Sequence, residues 1–454
     1  MNGGTNKTST YPPIILASLP HWSHLEKLSL IAEGLVKKGY SVTFLGTPDF
    51  EDKIRVTGAT YEEIDNTCGM FICPPERMQR WLEMPNSDEK EIEAYSYMFA
   101  DANSDYHRTL QRTLRRLNDA RTIFIHDASI FALGPVQRGG PGLRPHTDIA
   151  IGIIPIPGFS NYTYPYRDGR LPETGPNAPE IHWPEWQKWY KAHPVLNAVT
   201  KAIRQNFKDL GATIEPSVFP DIINDLPDLY CPLTVPQFEL DRPDIRPGVE
   251  FIGVPEKPGF VDRTLPEWWE EMLQAKADGK KIIAVSTSSL DYIVDFLMMP
   301  ALEGLKDRED LFIAAMFVSN DPEVVKDRIA SNARYARTIP MDLLLPHVDV
   351  LVTSAGYGTI QHALRHGVPM VSTGLEQDKP QTGVIMEVRK VGIYHNVLQA
   401  DKDQIRESVD KILNNPNYKE TAEKFKEIYK NYSPAERLHE IIQQRTREFE
   451  EYTL

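Results

Sequence analysis

Cysteine is scarce in this chain of 454 residues, which contains only Cys68, Cys73 and Cys231. Their spacing fits neither a zinc-binding set nor the paired framework of a small disulfide-stabilised domain. We therefore expect a protein of a reducing compartment, the cytoplasm, in which the thiols stay reduced.

Long hydrophobic runs are also lacking. The most apolar window, residues 149–159, is short and is interrupted by Pro155 and Pro157. Such a window is too short to cross a bilayer, so we expect no integral membrane segment. Residues 1–10 are polar and contain no sustained apolar core, and we expect no signal peptide there.

Positive charge is in deficit. The chain has 50 basic and 64 acidic residues, which gives a formal net charge of −14. This balance argues against nucleic acid or an anionic membrane surface as a partner. The length suits two domains, each large enough to bury its own core.

Apolar runs alternate with segments of helical periodicity in both halves, which predicts an α/β protein with doubly wound parallel sheets. Between the halves, residues 232–266 are rich in proline and read as a linker. We therefore predict an N-terminal domain over residues 1–231 and a second domain over 267–432. A C-terminal helix over 433–454 is predicted to follow.

The segment 353–364, TSAGYGTIQHAL, lies between the apolar runs 348–352 and 368–371 and predicts a strand, a turn and a helix. Gly356 and Gly358 would let a ligand approach the backbone closely. Thr359 is predicted to open the helix, whose free N–H groups favour an anion such as a pyrophosphate. An ordinary βα turn is the alternative. The missing third glycine excludes a dinucleotide fingerprint.

Other polar residues follow predicted strands. Gln377, Asp378 and Lys379 come just after the strand at 368–371, where ligands of open α/β sheets bind. His24 follows an apolar run near the start, and Asp127 ends another. A histidine oriented by an aspartate can act as a general base. Alternatively, His24 only begins a helix; His21 is the second candidate for the base.

The run from Leu343 to Gly392 resembles the nucleotide-sugar signature of family 1 glycosyltransferases, in particular their bacterial and fungal branch. The sequence PHWSH at 20–24 and the strand end at Asp127 resemble two further motifs of that family. The resemblance implies the GT-B fold, two Rossmann-like domains that face each other across a cleft. It implies an acceptor-binding domain over residues 1–231, a nucleotide-sugar-binding domain over 267–432 and a C-terminal helix over 433–454 that packs back on the first domain. It also implies inverting, metal-independent transfer of a sugar, expected to be glucose, from a UDP-sugar to a small lipophilic acceptor.

In this resemblance His24 and Asp127 are catalytic. The donor-binding residues it implies are Thr287, Ser289, Ile339, Ser354, Gly356, Tyr357, Gly358, Thr359, His362, Gln377, Asp378 and Lys379. Plant members have histidine in place of Ser354 and glutamate in place of His362, so His362 and Lys379 are the candidates for positive charge at the phosphates. We expect no cofactor, no metal and a monomer.

Aromatic side chains are dense in a proline-broken region of the first half and could form an apolar wall for the acceptor. Core packing under a long loop is the alternative. Trp22, Phe159 and Tyr162 are the acceptor-binding candidates, and the same region contains Tyr164, Tyr166, Trp183, Trp186 and Trp189. Two other functions stay open: a nucleotide-sugar epimerase of the same fold, and a catalytically silent UDP-sugar-binding protein.

Overall fold

The computed structural model describes residues 11–64, 74–85, 87–256, 263–287, 293–317, 323 and 328–453. Within these ranges the first half forms a parallel sheet in the order β3-β2-β1-β4-β5-β6. Its strands are nearly continuous apolar runs because helices cover both faces of the sheet. They are β1 (Ile14–Ala17), β2 (Val42–Gly46), β3 (Thr60–Glu63), β4 (Ile123–Asp127), β5 (Thr147–Gly152) and β6 (Leu229–Pro232).

Helices connect these strands, as right-handed crossovers between parallel strands require. Several apolar residues of the first helix pack against the sheet, including Leu28 and Ile31, which are almost fully buried. The helices are α1 (Trp22–Lys37), α2 (Glu51–Val56), α3 (Pro75–Glu83), α4 (Asp88–Ser96), α5 (Asn103–Leu117), α6 (Gly134–Gln137), α7 (Ala178–Ala192), α8 (Pro194–Asp209) and α9 (Asp221–Asp225).

The second half repeats this architecture in a parallel sheet ordered β12-β11-β10-β7-β8-β9. Strands β10 and β11 each begin two residues later than the apolar runs 348–352 and 368–371 predict, and the edge strand β9 was not predicted. The elements are α10 (Trp269–Ala277), β7 (Lys281–Ser286), α11 (Met298–Leu305), β8 (Leu311–Met316), β9 (Ala333–Ala336), α12 (Met341–Leu344), β10 (Val350–Thr353), α13 (Tyr357–Arg365), β11 (Met370–Thr373), α14 (Lys379–Val388), β12 (Gly392–His395), α15 (Lys402–Asn414), α16 (Pro416–Tyr429) and α17 (Pro434–Thr453). The expected doubly wound α/β fold is confirmed.

The proline-rich connection after β6 packs against both sheets. Leu233 belongs to the core of the first half, whereas Val235 and Phe238 belong to the core of the second. The buried Glu239 accepts a hydrogen bond of 2.8 Å from the hydroxyl of Tyr357, the first residue of α13. The connection is therefore anchored to the segment that was predicted to bind phosphate.

The Glu239 contact predicts a pH dependence of stability. Burial raises the pKa of Glu239 to about 6, although the Tyr357 hydroxyl and Arg242 act to lower it. A raised carboxyl pKa contributes stability that is present below the unfolded-state pKa and is lost as pH rises through about 6. We expect the melting temperature of Glu239→Gln, relative to that of the wild type, to increase as the pH rises from 4.5 to 7.5.

Thermal unfolding of the two proteins across that pH range measures the difference. Glu256→Gln is the matched control because Glu256 is an exposed carboxylate whose nearest contact is Arg365, at 3.2 Å. If the difference in melting temperature between the wild type and Glu239→Gln were the same at every pH, the proposed ionisation of Glu239 would be contradicted.

The C-terminal helix α17 packs back on the first half of the molecule. Leu438 and Ile442 lie in the core that contains β1 and α1. A Cβ atom added to Gly34 of α1 would lie 2.4 Å from the Cβ of Ala435, so only glycine allows this close approach. Tyr40 and His439 add a contact of 2.9 Å between the hydroxyl and Nδ1.

Candidate active site

The sheet order places His24 and Asp127 together. Strands β1 and β4 are parallel neighbours, with Leu16 opposite Ile125, so the turn after β1 and the end of β4 meet at one edge. His24 lies in the first turn of α1, which begins at Trp22. Its Nδ1 lies 2.5 Å from Oδ2 of Asp127.

The Asp127 carboxylate is fully buried and held on both oxygens. Its Oδ1 accepts the backbone N–H of Ser129 at 2.9 Å, while Oδ2 faces His24. Burial alone would raise the pKa of Asp127, but His24 and the Ser129 N–H hold it below its ordinary value. The carboxylate is therefore ionised at neutral pH, and it favours the His24 tautomer that carries a proton on Nδ1.

Two other histidines lie close to this pair. The His21 ring stands edge-on to His24 with 5.8 Å between ring centroids, and its Nδ1 lies 2.8 Å from the Ser23 hydroxyl. Burial and the nearby His24 and Lys27 lower the pKa of His21 to about 4. The His126 ring pairs with a different carboxylate, because its Nε2 lies 3.1 Å from Oδ1 of Asp148.

The turn before α13 differs from the sequence-based description. The helix begins at Tyr357, so Thr359 is its third residue rather than its first. The residue with positive φ is Ala355, at 58°, while Gly356 has φ of −60°. A Cβ on Gly358 would lie 3.2 Å from Cε of Lys27, which reaches across the cleft from α1. The Gly358 backbone therefore closely contacts the other domain.

Asp378 follows β11 and caps α14. Its Oδ2 accepts the backbone N–H of Tyr357 at 3.2 Å and faces the Thr382 hydroxyl at 3.4 Å. Burial raises the pKa of this carboxyl, although these hydrogen bonds act to lower it. The carboxylate thus takes up the first N–H group of α13 in this structure. Its expected contact with the donor sugar stays a prediction.

Comparison with known proteins agrees with this geometry. Residues 307–443 match the family described as erythromycin biosynthesis protein CIII-like, C-terminal domain. The UDP-glucosyltransferase avaP of Aspergillus versicolor is 29% identical over 94% of this chain and 96% of its own length. UDP-glucosyltransferase A1 of Starmerella bombicola is 27% identical over 96% of this chain and 93% of its own length.

The crystal structure of CalG4, the calicheamicin glycosyltransferase, superposes with a TM-score of 0.68 over 96% of this chain and 98% of that one, at 14% identity. The chain has the GT-B fold of this glycosyltransferase, and its sequence is similar to UDP-glycosyltransferases over nearly its full length. The family resemblance drawn from residues 343–392 is thereby confirmed.

A cavity of about 1140 Å³ lies between the two domains and is lined by residues of both. Four of the predicted donor-binding residues line it, namely Thr287, Ser354, Gln377 and Lys379. The Thr287 hydroxyl oxygen is buried and, among the described residues, has no hydrogen-bond partner. Ser289 lies outside the described residues.

Two predicted donor-binding residues are placed differently from expectation. Ile339 is buried in the core of the second domain, and its N–H faces Sδ of Met316 at 3.2 Å. Burial and the charge of Lys27 lower the pKa of His362 to about 3. The neutral imidazole of His362 is therefore favoured at neutral pH in this structure, and its expected contact with the phosphates stays a prediction.

The acceptor-binding candidates do not line the cavity. Phe159 packs edge-on against Trp183 and Trp186, with ring centroids 5.0 and 5.6 Å away. It therefore belongs to the aromatic packing under the loop. Tyr162 lies in the same loop, and Trp22 lies under the Lys53 ammonium at 4.4 Å. The aromatic residues that line the cavity are Trp81, Tyr95, Tyr166, Trp189 and Phe296.

Tyr166 and Trp189 belong to the aromatic-rich region noted in the sequence, whereas Trp81 and Tyr95 were missed. Trp81 lies on α3 and Tyr95 lies on α4, both outside the dense aromatic segment. The helical character of these two segments was the available signal, because residues on one side of a helix can face a common cavity.

Within the described ranges, no three or more His, Cys, Asp or Glu side chains are grouped so as to hold a metal ion. The helices described also include none with the length and apolar character needed to cross a membrane.

Proposed function

We propose that this UDP-glycosyltransferase is an inverting, metal-independent enzyme that transfers glucose from UDP-glucose to a hydroxyl of a small lipophilic acceptor. The contact of 2.5 Å between His24 Nδ1 and the buried Asp127 carboxylate carries the proposal. Two relatives that bear the name UDP-glucosyltransferase support glucose as the sugar. The cytoplasmic location and the monomeric state stay predictions.

The proposed reaction is a single displacement. The Asp127 carboxylate accepts a hydrogen bond from the protonated Nδ1 of His24. Nε2 therefore stays free to take the proton of the acceptor hydroxyl. The acceptor oxygen then forms a bond to the anomeric carbon as the bond to the β-phosphate oxygen breaks. The electron pair of that bond leaves with UDP. Attack from the face opposite the leaving group inverts the anomeric centre.

The lining of the cavity supports a lipophilic acceptor. Apolar side chains from both domains, including Leu82, Tyr95 and Leu297, line it. Trp81 and Trp189 add large aromatic surfaces, which suit rings or alkyl chains better than a polysaccharide.

The test is a transfer assay followed by mass spectrometry. The purified enzyme is incubated with UDP-glucose, UDP-galactose, UDP-N-acetylglucosamine or UDP-glucuronate and a mixture of fatty alcohols, sterols and flavonoids. We expect hexosylated acceptor and an equal amount of UDP, with activity unchanged by EDTA. The proton NMR spectrum of the product should show a β-linked sugar.

Each alternative has its own outcome in this assay. Conversion of UDP-glucose to UDP-galactose without acceptor modification would show an epimerase. UDP binding without turnover over the whole panel would show a silent binding protein. Loss of activity in EDTA with recovery on adding magnesium or manganese would contradict metal independence.

Gly358→Val tests whether the diphosphate lies at the start of α13. Valine is no worse than glycine as a helix former, so the helix should persist. The added side chain would meet the end of Lys27, 3.2 Å from the Cβ position, and would occupy the surface where the diphosphate approaches. We expect UDP affinity to fall about tenfold in a calorimetric titration, which corresponds to about 1.4 kcal/mol.

Gly356→Ala is the matched control. Its φ of −60° accommodates alanine, and the nearest atom to the added Cβ is Oγ1 of Thr359 at 4.0 Å. We expect a smaller loss of UDP affinity and an unchanged melting temperature. A Gly358→Val enzyme that binds UDP as the wild type does would place the diphosphate elsewhere.

A further inference from the structure

Lys27 is a cationic side chain that lies between the two domains. It belongs to α1, one turn after His24, and only 9% of it is exposed. A Cβ on Gly358 in the first turn of α13 would lie 3.4 Å from its Nζ. The ammonium group therefore sits directly beside the helix start that was predicted to bind a diphosphate.

The protein offers this ammonium only modest compensation for its burial. Nζ donates to the backbone oxygen of Ser23 at 3.0 Å, and the nearest carboxylate oxygen, Oε2 of Glu26, lies 3.5 Å away. A charged group taken out of water is costly unless it is paired and hydrogen-bonded. An anion on the side of Lys27 that faces α13 would complete its coordination.

The neighbouring basic side chains do not share this role. Burial, with the charge of Lys27 as a further cause, lowers the pKa values of His21 and His362. Both imidazoles are neutral at neutral pH. Arg365, one turn further along α13, contacts Glu256 at 3.2 Å and the backbone oxygens of Val254 and Tyr429 at 3.3 Å. The Lys27 ammonium therefore supplies positive charge beside the first turn of α13.

We propose that Lys27 binds the diphosphate of the nucleotide-sugar and stabilises the UDP that leaves. As the bond between the anomeric carbon and the β-phosphate oxygen breaks, the electron pair stays on that oxygen. The Lys27 ammonium donates a hydrogen bond to the diphosphate and keeps its proton. The acceptor-binding domain thus contributes directly to the donor site, and the two domains must be closed together for the contact. The inference rests on the proposed function.

The experiment compares UDP with uridine as calorimetric probes of Lys27→Met. Uridine lacks the diphosphate, so the loss of a diphosphate contact should weaken UDP about tenfold or more and change uridine less than twofold. In the transfer assay, kcat should also fall. Lys27→Arg keeps the charge and should recover part of the UDP affinity. It also serves as the second variant if Lys27→Met does not fold.

Lys37→Met is the matched control, because Lys37 lies on the same helix, is exposed and pairs with Glu33 one turn earlier. It should bind both probes as the wild type does. Equal weakening of UDP and uridine by Lys27→Met, or no weakening at all, would overturn the inference. A wild type that binds UDP more tightly than uridine but transfers no sugar would overturn the proposed function and leave the diphosphate contact of Lys27 standing. A wild type that does not bind UDP would overturn both.

Discussion

His24→Ala is expected to lower kcat by a factor of about a hundred or more, while UDP binding stays within about twofold of the wild type. A positioned general base contributes roughly 10²–10⁴ to the rate of a proton transfer. His24 contacts Asp127 at 2.5 Å, and it belongs to the acceptor-binding domain rather than to the turn before α13. Initial rates with saturating UDP-glucose, together with calorimetric titration of UDP, measure the two effects separately.

His21→Ala is the matched control for this prediction. The two imidazoles are neighbours, but the Nδ1 of His21 faces the Ser23 hydroxyl and not a carboxylate. Burial and the nearby positive charges lower the pKa of His21 to about 4, although Asp127 acts to raise it, so His21 is the less effective base at neutral pH. We expect less than a tenfold loss of kcat. If His21→Ala lost more activity than His24→Ala, the base would be His21.

The contact between His24 and Asp127 shows what a sequence can and cannot predict. Each residue follows an apolar run, so each could be placed at the carboxyl end of a strand. That β1 and β4 are neighbours depends on the order of strands in the sheet, which is not readable from the runs themselves. The family resemblance supplied the pairing, and the structure supplies the distance.

The role of Lys27 could not be read in the same way, because Gly358 lies in the other domain. From the sequence alone, Lys27 is one of several polar residues of an amphipathic helix. One local signal was available: Lys27 follows His24 by three residues, and side chains spaced in this way share one face of a helix. The side of α1 that carries His24 is therefore also directed toward the second domain.

The acceptor-binding candidates depend on packing that the sequence does not show. Aromatic density identifies a region but does not tell which rings line a cavity. Phe159 packs edge-on against Trp183 and Trp186, whereas Tyr166, from the same region, lines the cavity. Composition predicts the amount of aromatic surface, and only tertiary packing determines which part of it a ligand can touch.

Asp127→Asn is expected to lower kcat about a hundredfold with a folded protein and unchanged UDP binding. The Ser129 N–H, 2.9 Å from Oδ1, can only donate, so the amide oxygen of asparagine must accept from it. The amide NH₂ then faces His24 Nδ1 and requires that nitrogen to be an acceptor. The imidazole proton moves to Nε2, which can no longer take the proton of the acceptor hydroxyl.

The alternative orientation of the asparagine would restore the His24 tautomer, but it leaves the buried Ser129 N–H facing another donor. An unsatisfied buried group costs about 1–3 kcal/mol, enough to keep the rate-impairing orientation dominant. Asp148→Asn is the matched control, because Asp148 is a buried aspartate in the neighbouring strand β5 that faces His126 at 3.1 Å. It should change melting temperature rather than kcat. A fully active Asp127→Asn enzyme, or an equal loss of kcat in Asp148→Asn, would show that the carboxylate does not act through the His24 tautomer.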